Sequence, residues 1–523
     1  MGRSLRHRGP DDEGVWIDSH AGVGLAHQRL SVVDLSVEGR QPMISASGRY
    51  VMVYNGEVYN YLELRKKLDQ AGEARWRGHS DTEVVLACIE KWGLSKALAQ
   101  FNGMFAFALW DKVKQVLTLA RDRVGVKPLY YGWNGKVFLF GSELKALKAH
   151  PEFEGRVDRE SLSLLMRFNY IPAPRSIYQN IFKLQPGTFL SIRGANDVLS
   201  PTPYWSFRET AQRAVSAGFN ETRDEAVDHL DSLLGDAVKL RMNSDVPLGV
   251  FLSGGIDSST IVALMQKQSS QAVKTFSIGF HEESFNEAPH ARKIARHLGT
   301  DHTELYVSPK EALSVIPQLP NIYDEPLADP SQIPTFLLSK LTRQKVVVSL
   351  SGDGGDELFC GYNRYFTPQK LWEKFHWLPK SGLKILAGII QSLPSSVLDA
   401  GGAVMSRWFN RFGRIGSLSE RFNRLEMALD IGGPEGFFLQ GISHWSRPQP
   451  LVLGAHEPNI ALNQISQWSD FVHPEMNMML LDSTHYLPDD ILAKVDRASM
   501  GVGLEVRVPM LDPSIVEFSW KLP

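Results

Sequence analysis

The stretch Gly249-Val250-Phe251-Leu252-Ser253-Gly254-Gly255-Ile256-Asp257-Ser258-Ser259 passes from an apolar segment through a Ser-Gly-Gly turn into a sequence of helical character. A strand, a glycine turn and a helix in this order are typical of an α/β domain with a parallel sheet. Glycine lets the backbone approach an anion, and the amides that open the next helix are unpaired donors at the positive end of its dipole. The stretch therefore predicts a nucleotide phosphate site, with a glycine required only by the turn as the alternative.

Alternating strand and helix patterns continue after this stretch. The ends of parallel strands meet at one edge of a sheet and bind ligands there, so the Ser253 loop and a second glycine-rich loop, Ser351 to Glu357, are expected to converge. The predicted strands are Pro247–Leu252, Thr275–Phe280, His302–Val307 and Lys345–Leu350, and the predicted helices are Asp257–Lys267 and Glu287–Leu298.

The N-terminal part of the chain carries short β-rich runs with two helical segments between them, which predicts stacked sheets with helices over them. A polar segment from Arg208 to Arg223 has the composition of a linker between domains. The fold class predicted is α/β with two domains, at residues 1–210 and 211–523. The β-rich runs are Val23–Ala26, Tyr50–Tyr54, Phe105–Trp110, Val116–Ala120 and Val137–Phe140, and the helical segments are Leu62–Ala71 and Glu83–Trp92.

Composition restricts the class of partner. The 523 residues include 56 basic and 58 acidic ones, a net charge of -2, so the chain lacks the basic footprint of a nucleic-acid or membrane-surface protein. Small-molecule partners are expected, and a homodimer is left open. The two cysteines, Cys88 and Cys360, are far apart and favour a reducing compartment, with the cytoplasm as the default. The apolar segment Leu383–Leu398 contains lysine, proline and serines, and is interpreted as a buried or amphipathic helix.

The residues after the first loop's glycines exclude a Walker-type phosphate loop, because no lysine follows them. The sequence from Ser253 to Ser258 instead resembles the pyrophosphate loop of the ATP pyrophosphatases, which adenylate a substrate and release pyrophosphate. The resemblance implies attack at the α-phosphate of ATP. ATP and Mg²⁺ are the predicted cofactors, with Asp257 and Asp356 as the carboxylates for the metal.

Two further charged groups have alternative interpretations. Asp353, Asp356 and Glu357 belong to the second glycine-rich loop, but acidic residues are also favoured at a helix N-terminus. The charged residues from Lys494 to Arg507 could also lie on one solvated face of a helix.

Four motifs in this order resemble the glutamine-hydrolysing asparagine synthetases: Ser253 to Ser258, Ser351 to Glu357, Lys494-Val495-Asp496-Arg497 and Glu505-Val506-Arg507-Val508-Pro509. The resemblance implies that L-aspartate is amidated to L-asparagine with glutamine as nitrogen donor, through β-aspartyl-AMP, with release of AMP and pyrophosphate. It assigns Asp353 a catalytic role in forming the adenylate. The implied ATP-binding residues are Leu252, Ser253, Gly254, Gly255, Asp257, Ser258, Ile278, Ser351 and Gly352.

The N-terminal half resembles the class II glutamine amidotransferases, through motifs around His7 to Asp11, Gln28 to Asp34, Tyr54 to Glu57, Ser80 to Glu83 and Arg121 to Leu129. The resemblance implies an N-terminal-nucleophile hydrolase fold, an α/β/β/α sandwich. It assigns Arg29 to the glutamine α-carboxylate, Glu57 and Asp81 to its ammonium group, and Asn55 with the Gly56 amide to the oxyanion. The loop residues Leu30, Ser31, Val32 and Val33 complete the implied glutamine site.

This sequence departs from that pattern at the nucleophile. Relatives begin, after methionine removal, with a cysteine whose own amine is the base for its thiol, whereas position 2 here is glycine. Cys88 is predicted to be a core residue, and Cys360 stands where the family usually has glycine. Both ends look cut, since a synthetase-site lysine of relatives is also missing. The chain as written is expected to lack glutaminase activity.

Two alternatives stay open. The same chemistry could act on another acceptor, such as a sugar uronic acid, or the chain could be a pseudoenzyme with a regulatory or binding role. Phosphoribosyl-transferring amidotransferases share the N-terminal motifs, but the loop from Ser253 to Ser258 and the group around Asp353 argue against that class.

Overall fold

The computed structural model describes residues 1–72, 76–195, 197–282, 286–377, 418–446, 451–468 and 471–523. The chain forms two compact units, one of Met1–Asp158, Ile171–Phe359 and Ser483–Pro523, and one of Arg159–Tyr170 and Cys360–Asp482. The helix predicted at Leu383–Leu398 lies outside the described residues. Among the residues inside those ranges, no helix has the length and apolar character needed to cross a bilayer.

The strands are β1 Asp12–Asp18, β2 Val23–Arg29, β3 Met43–Ile44, β4 Tyr50–Val58, β5 Gly103–Asp111, β6 Val116–Arg121, β7 Tyr130–Asn134, β8 Val137–Gly141, β9 Ile181–Lys183, β10 Thr188–Ile192, β11 Thr202–Pro203, β12 Leu248–Phe251, β13 Lys274–Phe280, β14 Asp301–Val307, β15 Val348–Leu350 and β16 Glu505–Arg507. The α-helices are α1 Tyr61–Gln70, α2 Asp81–Trp92, α3 Leu94–Gln100, α4 Leu144–Lys148, α5 Arg159–Phe168, α6 Phe207–Ala217, α7 Arg223–Arg241, α8 Ile256–Gln268, α9 Ala288–Leu298, α10 Pro309–Val315, α11 Leu319–Tyr323, α12 Gln332–Arg343, α13 Gly355–Leu358, α14 Asn363–Phe375, α15 Leu418–Ile431, α16 Gly433–Ile442, α17 Pro474–Leu481, α18 Leu492–Met500 and α19 Pro513–Ser519.

The N-terminal part is a sandwich of sheets with helices outside. A six-stranded sheet has the order β11-β10-β6-β5-β4-β3, and the layer facing it consists of β1-β2 and β8-β7-β9. Side chains alternate along β5. Phe105 and Phe107 pack under α1 and α2, while Ala106, Ala108 and Trp110 enter the core between the sheets. Helix α4 lies against β8. The predicted α/β fold with helices over stacked sheets is confirmed.

A parallel five-stranded sheet follows, in the order β14-β13-β12-β15-β16. The predicted strands all form, although Lys345–Leu350 is shortened to β15. Strand β16 was not predicted as a strand. It joins the sheet from the far C-terminal end, with Leu350 opposite Arg507. The buried residues Val348 and Leu86 belong to one apolar cluster, which connects this sheet to the helical layer of the N-terminal part.

The segment interpreted as a linker, Arg208–Arg223, is largely helical, because α6 occupies Phe207–Ala217. Ser206 caps this helix by accepting a hydrogen bond from the Glu209 amide at 3.2 Å. The polar composition concealed a narrow apolar stripe that includes the buried Phe207. The ring of Phe207 packs edge-on against Trp520, with ring centres 6.1 Å apart.

Helices dominate the second unit where the structure describes it. It contains α5 and α14 to α17. Tyr365 is completely buried there and stacks on Phe438, with ring centres 6.4 Å apart. The Arg167 guanidinium binds the Glu457 carboxylate at 2.6 Å. Tyr365 and Phe438 therefore serve the packing of this unit.

Candidate functional site

The two glycine-rich loops meet at the carboxyl edge of the parallel sheet. The Leu252 amide donates to the Phe276 carbonyl at 2.8 Å, and the Ser351 amide donates to the Arg507 carbonyl at 3.0 Å. Both loops thus leave neighbouring strands, β12 and β15, at the same edge. Ile278 lies on β13, two residues beyond Phe276, and is half-buried. The structure therefore brings together the residues predicted to bind ATP.

Glycines allow the loops to touch. A Cβ atom on Gly352 would lie 2.8 Å from the Ser258 nitrogen, and one on Gly355 would overlap the Asp257 carboxylate. Gly254 has φ +90°, and a Cβ atom there would lie 2.9 Å from the Ala291 nitrogen. Backbone atoms cannot move aside as flexible side chains do, so Gly352 and Gly254 require glycine for packing, whereas the neighbour of Gly355 is the Asp257 side chain.

Serine side chains shape the first loop. The Ser253 and Ser258 hydroxyls are 3.0 Å apart, and the Ser253 hydroxyl accepts a hydrogen bond from the Gly255 amide at 3.2 Å. Helix α8 begins directly after Gly255, which is exposed. The first amides of α8 are therefore available to an anion, and the helix dipole favours negative charge at this end.

Acidic side chains gather beside this helix terminus. Burial, Asp356 and Asp353 together raise the pKa of Asp257 to about 6. Burial also raises the pKa of Asp353, although the Ser351 hydroxyl donates to its carboxylate and Lys494 opposes the shift. Mutual repulsion of this kind is relieved by a bound cation.

This donor set fits magnesium held jointly with a nucleotide. Among the residues that the structure describes, no group of three His, Cys, Asp or Glu side chains is arranged to hold a metal ion. Mg²⁺ commonly takes only one or two protein carboxylates and completes its shell with waters and phosphate oxygens. Asp257 and Asp356 match that requirement.

A cavity of about 400 Å³ lies in the N-terminal part, where the glutamine site was predicted. Ser31 does not line it, since its amide instead donates to the Asp11 carboxylate at 2.8 Å. The predicted residues that line the cavity are Arg29, Leu30, Val32, Val33, Asn55, Gly56, Glu57 and Asp81.

Two buried carboxylates form the acidic wall of this cavity. Burial raises the pKa of Asp81 to about 6, against hydrogen bonds from the Val58 amide and the Tyr54 hydroxyl, each at 2.9 Å. Burial and Asp81 hold the pKa of Glu57 well above its usual range, and Arg507 opposes that shift. An ammonium group between the two carboxylates would stabilise their charged forms.

Arg29 and Asn55 at the cavity have hydrogen-bond partners of their own. Arg29 donates to the carbonyls of Asp34 and Ser36, the second at 3.0 Å. The Asn55 amide group lies 3.4 Å from the Ser142 hydroxyl. Gly56 has φ +146°, and a Cβ atom there would overlap the Met104 carbonyl. These contacts fix the orientation of Arg29 and the path of the strand at Asn55 and Gly56.

The charges from Lys494 to Arg507 do not form a solvated helix face. Arg8 is buried and binds Asp496 at 2.8 Å and Glu143 at 2.8 Å, and Lys127 lies 3.4 Å from Asp496. Sequence reasoning noted the motifs containing Arg8 and Asp496 separately and missed their pairing. For Asp496 the available signal is a charged residue within the largely apolar segment 491–502, whereas the polar stretch around Arg8 gives none.

The two cysteines are located as predicted. Cys88 is fully buried in the core of the N-terminal part, and burial raises the pKa of its thiol to about 12. Cys360 has φ +56°, in the region that favours glycine, which explains why a glycine would suit that position. Neither environment produces a reactive thiolate.

The comparisons with known proteins agree with this geometry. A family model described as asparagine synthase matches residues 229–523, and one described as a glutamine amidotransferase domain matches residues 1–205. The chain belongs to the asparagine synthase family. The first region contains the two glycine-rich loops, and the second contains most of the residues that line the cavity.

Relatives in this family match almost the entire chain. Asparagine synthetase [glutamine-hydrolyzing] 1 of Bacillus subtilis is 33% identical, over 100% of this chain and 77% of the relative. A putative asparagine synthetase [glutamine-hydrolyzing] 2 of Methanocaldococcus jannaschii is 33% identical, over 96% of this chain and 94% of the relative. A putative asparagine synthetase of Mycobacterium bovis is 34% identical, over 99% and 77% respectively.

Proposed function

We propose that this chain is an ATP-dependent ligase that amidates L-aspartate to L-asparagine, with glutamine as the family's nitrogen donor. The observation that carries the proposal is the contact between the two glycine-rich loops, where a Cβ atom on Gly352 would lie 2.8 Å from the Ser258 nitrogen. Asp353 belongs to the second of these loops, and the N-terminal end of α8 beside it would bind the phosphates. The names of the relatives support aspartate as the acceptor.

The proposed chemistry follows from the groups at the sheet edge. A carboxylate is a poor acylating agent until one of its oxygens is converted into a leaving group, and adenylation does so. The α8 amides and the Ser253 loop would hold the pyrophosphate. A magnesium ion bound by Asp257 and Asp356 would neutralise charge on it. Ammonia then attacks the acyl carbon of β-aspartyl-AMP, forming asparagine and AMP.

The cavity of the N-terminal part is proposed to bind glutamine. Arg29 would pair with its α-carboxylate, and Glu57 and Asp81 with its ammonium group. Asn55 and the Gly56 amide would face the side-chain amide. The cavity volume of about 400 Å³ is ample for an amino acid of this size.

Pyrophosphate release tests the acceptor. With ATP, Mg²⁺ and ammonium present, aspartate is expected to stimulate pyrophosphate release, and Asp353→Asn is expected to abolish that stimulation. Asp353→Asn should still bind glutamine as the wild type does, because Asp353 does not line the glutamine cavity. Stimulation by glucuronate in place of aspartate would refute aspartate as the acceptor and favour a sugar acid. No stimulation by either would favour a pseudoenzyme.

Glutamate release tests the nitrogen-donor half in the 523-residue polypeptide itself. Its thiols are Cys88, which is buried, and Cys360, whose pKa burial raises to about 11. We expect this polypeptide to bind glutamine without releasing glutamate. Measurable glutamate release that survives Cys88→Ala and Cys360→Gly would contradict the expected requirement for a thiol.

A further inference from the structure

Asp245 contacts the loop that carries the candidate glutamine residues. Its carboxylate accepts a hydrogen bond from the Asp34 amide at 2.8 Å and lies 2.9 Å from Nε2 of His79. Its own amide donates to the Val32 carbonyl at 3.0 Å. Asp245 stands just before β12, so it belongs to the part of the chain matched by the asparagine synthase model.

Asp34 is hydrogen-bonded to both Asp245 and Arg29. The Asp34 side chain is completely buried, and its carboxylate accepts hydrogen bonds from the Ser36 hydroxyl at 2.6 Å and the His79 amide at 2.8 Å. The Asp34 carbonyl accepts a hydrogen bond from the Arg29 guanidinium. A Cβ atom on Gly39 would overlap that guanidinium, so the loop encloses it closely.

The segment that contains Asp245 is itself fixed. The Asn243 carbonyl accepts a hydrogen bond from Arg507 at 2.7 Å, and the Asn243 amide group donates to the Tyr61 hydroxyl at 3.1 Å. Val246 packs against the apolar cluster that includes Val32. A fixed acceptor can hold a loop in one position, whereas a mobile one would move with it.

We propose that Asp245 is a positioning residue for glutamine binding. It holds Asp34, whose carbonyl orients Arg29 toward the α-carboxylate of the amino acid. The inference rests on the proposed glutamine site. It assigns part of the glutamine affinity to a residue that lies outside the sequence region matched by the glutamine amidotransferase model.

The hydrogen bond to the Asp34 amide is the contact that matters here. The Asp245 and His79 side chains are 41% and 55% exposed, so their ion pair is screened by water and contributes little. The Asp34 amide, by contrast, belongs to a completely buried residue and would lose its partner if the acceptor were removed.

Isothermal titration calorimetry with glutamine tests this role without requiring turnover. Asp245→Ala is expected to raise the Kd for glutamine about tenfold, and Asp245→Asn, which keeps an oxygen acceptor, by about threefold or less. The Kd for ATP should be unchanged in both variants. Asp231→Ala is the matched control. Asp231 is 56% exposed, and its partner is Lys267, not a residue of the loop that contains Asp34. If Asp245→Ala lacks a cooperative unfolding transition, Asp245→Ser takes its place.

The outcomes separate this inference from the proposed function. Equal glutamine affinity in the wild type and the alanine or serine variant would overturn the role of Asp245 while leaving the glutamine site intact. Equal weakening of glutamine and ATP binding would show a general structural effect and would also overturn it. Absence of glutamine binding in the wild type would refute the proposed glutamine site, and the inference with it.

Discussion

The Arg507 guanidinium lies 3.7 Å from the Glu57 carboxylate, and both side chains are buried. Arg507 belongs to β16 of the parallel sheet, and its carbonyl accepts a hydrogen bond from the Ser351 amide at 3.0 Å. Glu57 lines the candidate glutamine cavity. Arg507 therefore lies beside a cavity-lining residue through its side chain and contacts the second glycine-rich loop through its backbone.

Replacement of Arg507 is expected to destabilise the protein strongly. Arg507→Met would leave the buried Glu57 and Glu505 carboxylates without their cation and would remove donors from the Arg241 and Asn243 carbonyls. We expect the free energy of unfolding in urea to fall by about 3 to 5 kcal/mol. Arg156→Ala, at a pair whose arginine is 72% exposed, should change it by less than about 0.5 kcal/mol. A similar small effect at Arg507 would contradict the pairing.

Glutamine binding is expected to strengthen as the pH rises through about 6. Burial raises the pKa of Asp81 to about 6 and, together with Asp81, holds that of Glu57 well above its usual range, so Asp81 is mostly protonated in the empty cavity below about pH 6. An ammonium group prefers the ionised carboxylates, so binding must release protons. His27 does not interfere, because burial lowers its pKa to about 4 and keeps it neutral.

Calorimetric titrations in buffers of different ionisation enthalpy measure those protons. Asp81→Asn should reduce both the proton release and the pH dependence. A glutamine Kd that is independent of pH between about 5 and 8 would contradict the assignment of the ammonium group to these carboxylates.

Asp496 is expected to contribute to acid resistance. Burial would raise its pKa, but Arg8 and Lys127 outweigh that effect and lower it to about 2, compared with 3.8 when unpaired. Because the folded pKa is depressed, the stabilisation is present above pH 3.8 and is lost as the pH falls toward 2. The pH-dependent part should be roughly 2 kcal/mol. The free energy of unfolding in urea should therefore be lower for Asp496→Asn than for the wild type, and this difference should shrink as the pH falls from 3.8 toward 2. A difference that does not change with pH would refute the ion pairing.

Gly352→Ala is expected to weaken ATP binding without weakening glutamine binding. The added methyl group would meet the Ser258 nitrogen at 2.8 Å and push the two loops apart. We expect the Kd for ATP to rise about tenfold or more. Gly235→Ala serves as control, because its methyl group would have only Gln268 nearby, at 3.9 Å. Unchanged ATP affinity in Gly352→Ala would place the nucleotide elsewhere.

The strands that could be predicted, such as β4 to β6 and β12 to β15, carry a local signal. An apolar run followed by glycine, as at Val250 to Gly255, predicts a strand and a turn even when the partner strand is not known. Helix α6 was missed because its apolar stripe lies within a polar composition, and Phe207 finds its partner Trp520 far away in the sequence.

Strand β16 and the charged contacts could not be predicted for a related reason. Glu505 and Arg507 are buried only because each finds an opposite charge or a carbonyl, and such pairing depends on the tertiary fold. The same holds for Asp245 and Asp34. The candidate site residues were found through resemblance to a family, and the contacts that orient them became visible only in the structure.

Transfer of ¹⁸O from labelled aspartate tests the proposed adenylation most directly. The 523-residue polypeptide would be incubated with ATP, Mg²⁺, ammonium and L-aspartate carrying ¹⁸O in its side-chain carboxylate, and the nucleotide product would be analysed by mass spectrometry. We expect AMP with one ¹⁸O atom in its phosphate, together with an equal amount of pyrophosphate. Formation of ADP and ¹⁸O-labelled phosphate, which a β-aspartyl phosphate would give, or of AMP without ¹⁸O, would contradict adenylation of aspartate.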